Sequence, residues 1–255
     1  SGRLTGKDTG PGRLPEPDDL FAVCQRILAH APGPTGETTH DATPGIPGSS
    51  AVTTPIPEGR LRGQRIVVSA GGTREPLDPV RFLGNRSSGK QGYAVAAEAA
   101  RRAADVTLVS TASLPVPDGV TVVAVETAQE MRLAMIEASE RADVVVMAAA
   151  VADFRPEHYV EHKIKKSHHN EGSEQSDQSV PELRLVRNPD ILAELVRHRG
   201  DAAGPVIVGF AAETGDDEGS VLDHGRAKLA RKGCDVLVVN EVGPGVAFGQ
   251  EDNTV

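Results

Sequence analysis

Between an apolar run ending at Ala70 and a helical pattern opening near Lys90, the chain sets Gly71, Gly72, Asn85, Ser87, Ser88, Gly89 and Lys90. Glycines at a strand's end let backbone amides come close to a ligand. Exposed N–H groups and the positive end of a helix dipole favour an anion. Ser87 or Ser88 serves equally as a helix cap, so both readings stand on these residues alone. Further on, Ala148, Ala149, Ala150 and Ala152 are small enough for a flat ligand to lie against backbone, and Asp153 follows them. That aspartate suits a ribose, a base amino group or a magnesium ion, or else a turn. Lys163, Lys165 and Lys166 are point charges of the kind that hold triphosphate, or a solvated basic run. Asn188-Pro189-Asp190-Ile191 reads as a turn into a helix, with Asn188 as cap and Pro189 at the first helical position. Phe210 can stack on a base or be buried, and Glu213 follows at the same strand end. Lys228 and Lys232, four apart on one helix face, either extend a phosphate cradle or are solvated.

The elements that must position these residues are short β-branched runs alternating with helical patterns. Strands are predicted at Arg65 to Ala70, Asp105 to Ser110, Val120 to Val125, Asp143 to Ala150, Pro205 to Ala212 and Asp235 to Asn240, with a short one within LRLV. Most are continuously apolar, as strands buried on both faces of a parallel sheet are. Helices are predicted at Lys90 to Arg102, Ala128 to Arg141, Pro189 to Arg199 and Gly219 to Lys232. This alternation predicts an α/β domain, Rossmann-like and doubly wound on a mostly parallel sheet, with ligands at the strands' carboxyl ends. The polar stretch from about Ser167 to Val180 reads as a mobile loop that separates KIKK from LRLV.

Three zones divide the chain: residues 1–31, Gly-rich and then helical; a Pro, Gly, Thr and Ser-rich linker at 32–62; and the α/β domain at 63–255. A formal net charge of -9 argues against a general nucleic-acid binder, so phosphate binding has to rest on locally concentrated lysines and helix N-termini. One pair of cysteines, Cys24 and Cys234, gives no disulfide framework and fits a reduced interior. No apolar run reaches a membrane span, and the polar N-terminus lacks a signal-peptide core. A cytoplasmic protein is the expectation.

The stretches SAGGTREPLDPVRFLGNRSSGKQG, AAAVADFRP, KIKK, VRNPDIL, GFAAET, KLARKGCDVLVVN and AFGQEDN occur in one order across about Arg65 to Asn253. Jointly they resemble the bacterial phosphopantothenate–cysteine ligase domain, usually the C-terminal half of a bifunctional coenzyme A enzyme. The resemblance implies two steps. CTP, with magnesium, activates the carboxylate of 4′-phosphopantothenate as an acyl-cytidylate, and the amine of L-cysteine then displaces CMP. It also implies Asn85 and Lys163 as the catalytic pair, Asn85 holding the acyl-cytidylate and Lys163 serving cytidylate formation. By the same resemblance Ala149, Ala150, Asp153, Asn188, Pro189, Asp190, Ile191, Phe210, Lys228 and Lys232 match the nucleotide pocket, the KIKK segment would be a mobile lysine-bearing flap that closes, and a homodimer is expected. No ligands for the magnesium are assigned.

GPGRLPEPDDLF looks like the tail of a flavin-dependent decarboxylase domain, so FMN and decarboxylation belong to a half that this sequence does not include. Relatives continue past the EDN motif with a strand and a helix, which implies a C-terminally truncated domain here. Two rival readings remain. A short-chain NAD(P)-dependent oxidoreductase is opposed by the absence of a G-x-G-x-x-G and of an acid after Val109-Ser110-Thr111. A non-catalytic nucleotide-binding regulator would bind CTP without releasing pyrophosphate. Side-chain chemistry alone does not separate CTP from ATP.

Overall fold

Six apolar strands in the chain line up side by side, all parallel, in the computed structural model, which describes residues 59–164, 182–213 and 219–241. They are β1 (Arg65–Ala70), β4 (Asp105–Ser110), β5 (Val120–Ala124), β6 (Val144–Met147), β9 (Val206–Glu213) and β10 (Val236–Glu241), in the order β10-β9-β6-β1-β4-β5. Two antiparallel hairpins are added: β2 (Arg74–Pro76) with β3 (Phe82–Gly84), and β7 (Phe154–Pro156) with β8 (Leu185–Arg187). The sheet is entered at β1, winds out through β4 to β5, returns to β6 on β1's other side and winds out again to β10. The direction therefore reverses between β1 and β6, where a doubly wound sheet opens a crevice at its carboxyl rim.

Val67, Val109, Val145 and Ile207 face one core layer, which Met131, Met135, Ile191 and Leu195 complete from α2 (Ala128–Ser139) and α3 (Ile191–Arg199). Ile66, Val68, Val106, Val146 and Val208 face the other layer, with Tyr93, Val95, Ala96 and Ala99 of α1 (Lys90–Arg101). Alternate residues of a strand point to opposite faces, so an uninterrupted valine run fills both layers. Helix α4 (Val221–Lys232) lies against β10 and β9 at the sheet edge. Its Gly225 lets it come close: an added Cβ there would stand 2.7 Å from Val239.

Several boundaries differ from the sequence expectation. β6 ends at Met147, not Ala150, because Ala149 and Ala150 turn their N–H groups to Ser69 Oγ and to the Gly71 carbonyl. Neither Ser87 nor Ser88 caps α1; the cap is Gly89 at φ +77°, a left-handed conformation that disfavours a side chain. Pro189 precedes α3 and Asp190 caps it, accepting from Ala193 N at 3.1 Å, because the carboxylate and not the Asn188 amide reaches the free N–H. The short strand within LRLV is β8, one half of a hairpin whose other half, β7, was not expected. Residues 1–58, the 167–180 loop, Lys165, Lys166, Cys24 and the AFGQEDN motif lie outside the described residues.

Buried Glu75 on β2 accepts the Ala128 N–H at 2.9 Å and so closes the first turn of α2. Glu75→Ala would leave that N–H without its acceptor in a dry site. A loss of about 1–3 kcal/mol is expected in urea unfolding, while an unchanged midpoint would show that the contact stabilises nothing.

Candidate active site

Gly71 and Gly72 leave β1 at the reversal point. Gly71 has φ +88°, and an added Cβ would strike Thr111 Oγ1 at 2.3 Å. An added Cβ on Gly72 would strike the Asn85 carbonyl oxygen at 2.4 Å. Both glycines are thus required by close approach of the chain to itself. Thr111 Oγ1 donates to the Gly72 carbonyl at 2.8 Å, and Gly89 sits against Ala112 and Gly71. The turn after β4 is therefore packed on the turn after β1.

The loop after β6 is laced to the loop after β1. Ala150 N donates to Gly71 O at 2.8 Å, Thr73 N to Ala150 O at 3.2 Å, and Ala152 N to Thr73 Oγ1 at 2.9 Å. Asn85 adds the next link, its Nδ2 donating to the Val151 carbonyl at 3.0 Å. An amide nitrogen carries two hydrogens, so a second N–H remains for a ligand. Asn188 extends the line: its Nδ2 donates to Ala152 O at 2.8 Å and its backbone N to Asp153 O at 2.8 Å. Arg155 Nη1 donates to Asn188 Oδ1 at 3.1 Å, which fixes the orientation of that amide. Asp153 itself is exposed.

The lysines of α4 are paired, not simply solvated. Lys228 Nζ donates to Glu213 Oε1 at 2.7 Å, and Lys232 is paired with Asp190. Burial opposes ionisation of Asp190, yet the Lys232 ammonium, the Ala193 N–H and the charge of Arg197 hold its carboxyl below the usual carboxylate range. Phe210 is half-buried and packs on the core layer of α1, so only part of its ring faces outward. Ile191 is buried in the opposite layer and acts as an anchor for α3. Ser87, Ser88 and Lys90 are exposed at the start of α1, with Ser87 Oγ accepting from Gly89 N and Ser88 Oγ from Lys90 N, each at 3.4 Å.

Lys163 is exposed and has no ion-pair partner among the described residues. Asp78 holds the peptide that follows it. The Asp78 side chain is fully enclosed and accepts from Val80 N and Arg81 N at 2.8 Å, from Arg81 Nε at 2.9 Å and from Ile164 N at 3.1 Å. Burial raises the pKa of this carboxyl, but those donors outweigh it and bring it down to about 2. Asp78 is accordingly ionised throughout the neutral range. Neither Asp78 nor Arg81 stood among the expected site residues. The Asp-Pro pair at 78–79 with an arginine at 81 marks a turn, and that signal gave no hint of what the turn holds.

The model of the DNA/pantothenate metabolism flavoprotein C-terminal domain matches residues 61–255. The chain belongs to this family. The family match contains every candidate residue from Gly71 to Lys232. A Mycobacterium tuberculosis (strain ATCC 25618 / H37Rv) relative, "Coenzyme A biosynthesis bifunctional protein CoaBC", is 50% identical over 258 residues, covering 99% of this chain and 54% of the relative. A relative of the same name from Vibrio cholerae serotype O1 is 38% identical over 250 residues, covering 97% of this chain and 52% of its own. The chain spans about half the length of the curated relatives it matches. Among solved structures, the C-terminal domain of a coenzyme A biosynthesis bifunctional protein CoaBC is similar at a TM-score of 0.57 and 37% identity, covering 72% of this chain and 80% of that one. Both the family and this neighbour agree with the Rossmann-like α/β reading. No helix among the described residues is long and apolar enough to cross a membrane.

Proposed function

We propose that this chain ligates 4′-phosphopantothenate to L-cysteine at the expense of CTP, through an acyl-cytidylate, as a step of coenzyme A synthesis. One observation carries most weight. A single line of bonded residues runs along the sheet's carboxyl rim from Asn85 through Val151, Ala152 and Asn188, with Asp190 and its partner Lys232 at its far end. Such a rim offers a neutral amide donor for an acyl oxygen at one end and cations for phosphates at the other.

In the first step the phosphopantothenate carboxylate attacks the α-phosphorus of CTP, and pyrophosphate leaves. Lys163 offsets the charge gathering on the α-phosphate oxygens. In the second step the cysteine amine attacks the acyl carbon, CMP leaves, and the remaining N–H of Asn85 steadies the acyl oxygen. Lys228 and Lys232 would exchange Glu213 and Asp190 for nucleotide phosphates. Ala149 and Ala150 supply a flat wall for the nucleotide, and the outward part of Phe210 an edge for the base.

The described residues hold no group of three His, Cys, Asp or Glu that would form a metal cage. Magnesium would be carried by the nucleotide's own phosphates, with the exposed Asp153 as a protein carboxylate able to hold it. When bound, the ion shields the triphosphate from the attacking carboxylate. The same reading makes residues 1–31 the end of an FMN-dependent decarboxylase half and 32–62 a linker. It places the enzyme in the cytoplasm as a homodimer.

The test is pyrophosphate release with CTP, ATP, UTP and GTP in turn, each with and without phosphopantothenate and cysteine. Release is expected with CTP and to require phosphopantothenate but not cysteine. Release that ignores phosphopantothenate, or CTP binding without release, would rule the ligase out.

A further inference from the structure

The hairpin loop between β2 and β3 is tied to the Lys163 segment more firmly than a surface turn requires. Val160 N donates to the Leu77 carbonyl at 3.0 Å. Ile164 N donates to Asp78 Oδ2 at 3.1 Å, and Ile164 O accepts from Arg81 Nη2 at 2.6 Å. Asp78 and Arg81 are themselves joined at 2.7 Å. One ion pair thus holds both the donor and the acceptor of a single residue.

The N–H it holds belongs to the peptide linking Lys163 to Ile164. Fixing that peptide plane removes a backbone rotation directly beside Lys163, on a side chain that nothing else restrains among the described residues. The position of a charged group matters as well as its presence, since a misplacement of about 1 Å is enough for roughly a hundredfold loss of rate.

We propose that Asp78 and Arg81 are positioning residues that orient Lys163 by gripping the peptide of Ile164. The proposal rests on the reading of Lys163 given above. It assigns the hairpin a role in the first step, although no part of the hairpin loop need touch the nucleotide.

Asp78→Asn is the sharpest probe. Each carboxylate oxygen now accepts from at least two donors. An amide would turn an NH2 group toward N–H donors whichever way it was placed. Since a buried change of this kind also threatens folding, Arg81→Gln serves beside it, because the Arg81 side chain is 46% exposed. Both variants of the full chain would be followed by hydrogen-exchange mass spectrometry on the segment around residues 160–164, by melting temperature, and by pyrophosphate release with CTP and phosphopantothenate.

Exchange should quicken in that segment alone. Release should fall about tenfold or more in kcat with KM for CTP within about threefold. Arg81→Lys, which keeps a cation able to reach only one of the two partners, should fall between. Unchanged exchange overturns the proposal, as does faster exchange with kcat near normal. So does a loss shared equally by melting temperature, KM and kcat, which would mark a purely structural pair. Lys163→Gln in the same assay separates the two layers. An inactive Lys163→Gln beside a normal Asp78→Asn removes the grip alone, whereas a normal Lys163→Gln removes the reading of Lys163 and with it the positioning role.

Discussion

Lys163→Gln should release pyrophosphate from CTP roughly a hundred- to a thousandfold more slowly than the native chain, the size of effect seen when one preorganised charge-stabilising donor is removed. Folding should hardly change. Lys163 is exposed and makes no ion pair among the described residues, and such surface substitutions usually stay within about 0.5 kcal/mol. Nucleotide affinity should fall far less than the rate, because Lys228 and Lys232 lie on another element and keep their charge. A burst assay with radiolabelled CTP would report the first step directly. If acyl-cytidylate forms at the native rate in this variant, Lys163 has no part in that step.

Gly72→Ala should be damaging for a single added methyl. The new Cβ would lie 2.4 Å from the carbonyl oxygen of Asn85, and backbone cannot swing aside as a side-chain tip can. Overpacking of this sort costs about 1–3 kcal/mol. The relief available is to push Asn85 outward, away from the Val151 carbonyl that orients its amide. A fall in melting temperature should therefore accompany a loss of about a hundredfold in the overall ligation. A destabilised variant that ligates at the native rate would show that the place of Asn85 does not matter to the chemistry.

How far the sequence disclosed this molecule depends on element length. β1, β4 and α1 could be read nearly to the residue because runs such as Ile66-Val67-Val68 fill two core layers at once. The hairpins could not, since three-residue strands such as Arg74–Pro76 bury only their middle residue and carry no periodic pattern. Caps turned on local geometry, so Gly89 and Asp190 took places for which the serines and Asn188 were candidates. Of the candidate residues, Asn85 and Asn188 took their expected roles from the family resemblance, since type and spacing alone read Asn188 as a turn or cap. The partners that hold the candidate residues could not be read at all. Asp78 and Ile164 are eighty-six positions apart, and Lys232 and Asp190 forty-two, so only the fold brings them together. Expectations for Lys165 and Lys166 lie outside the described residues.

The bridge between Gly72 and Ala150 continues the pairing of β1 and β6 beyond the last residues of both strands. The floor of the crevice is for that reason woven into the central ladder and belongs to the same cooperative unit. Amides there should exchange with solvent only when the whole sheet comes apart, whereas those of an ordinary surface loop open on their own. Any motion the reaction needs must then come from segments hung outside that ladder.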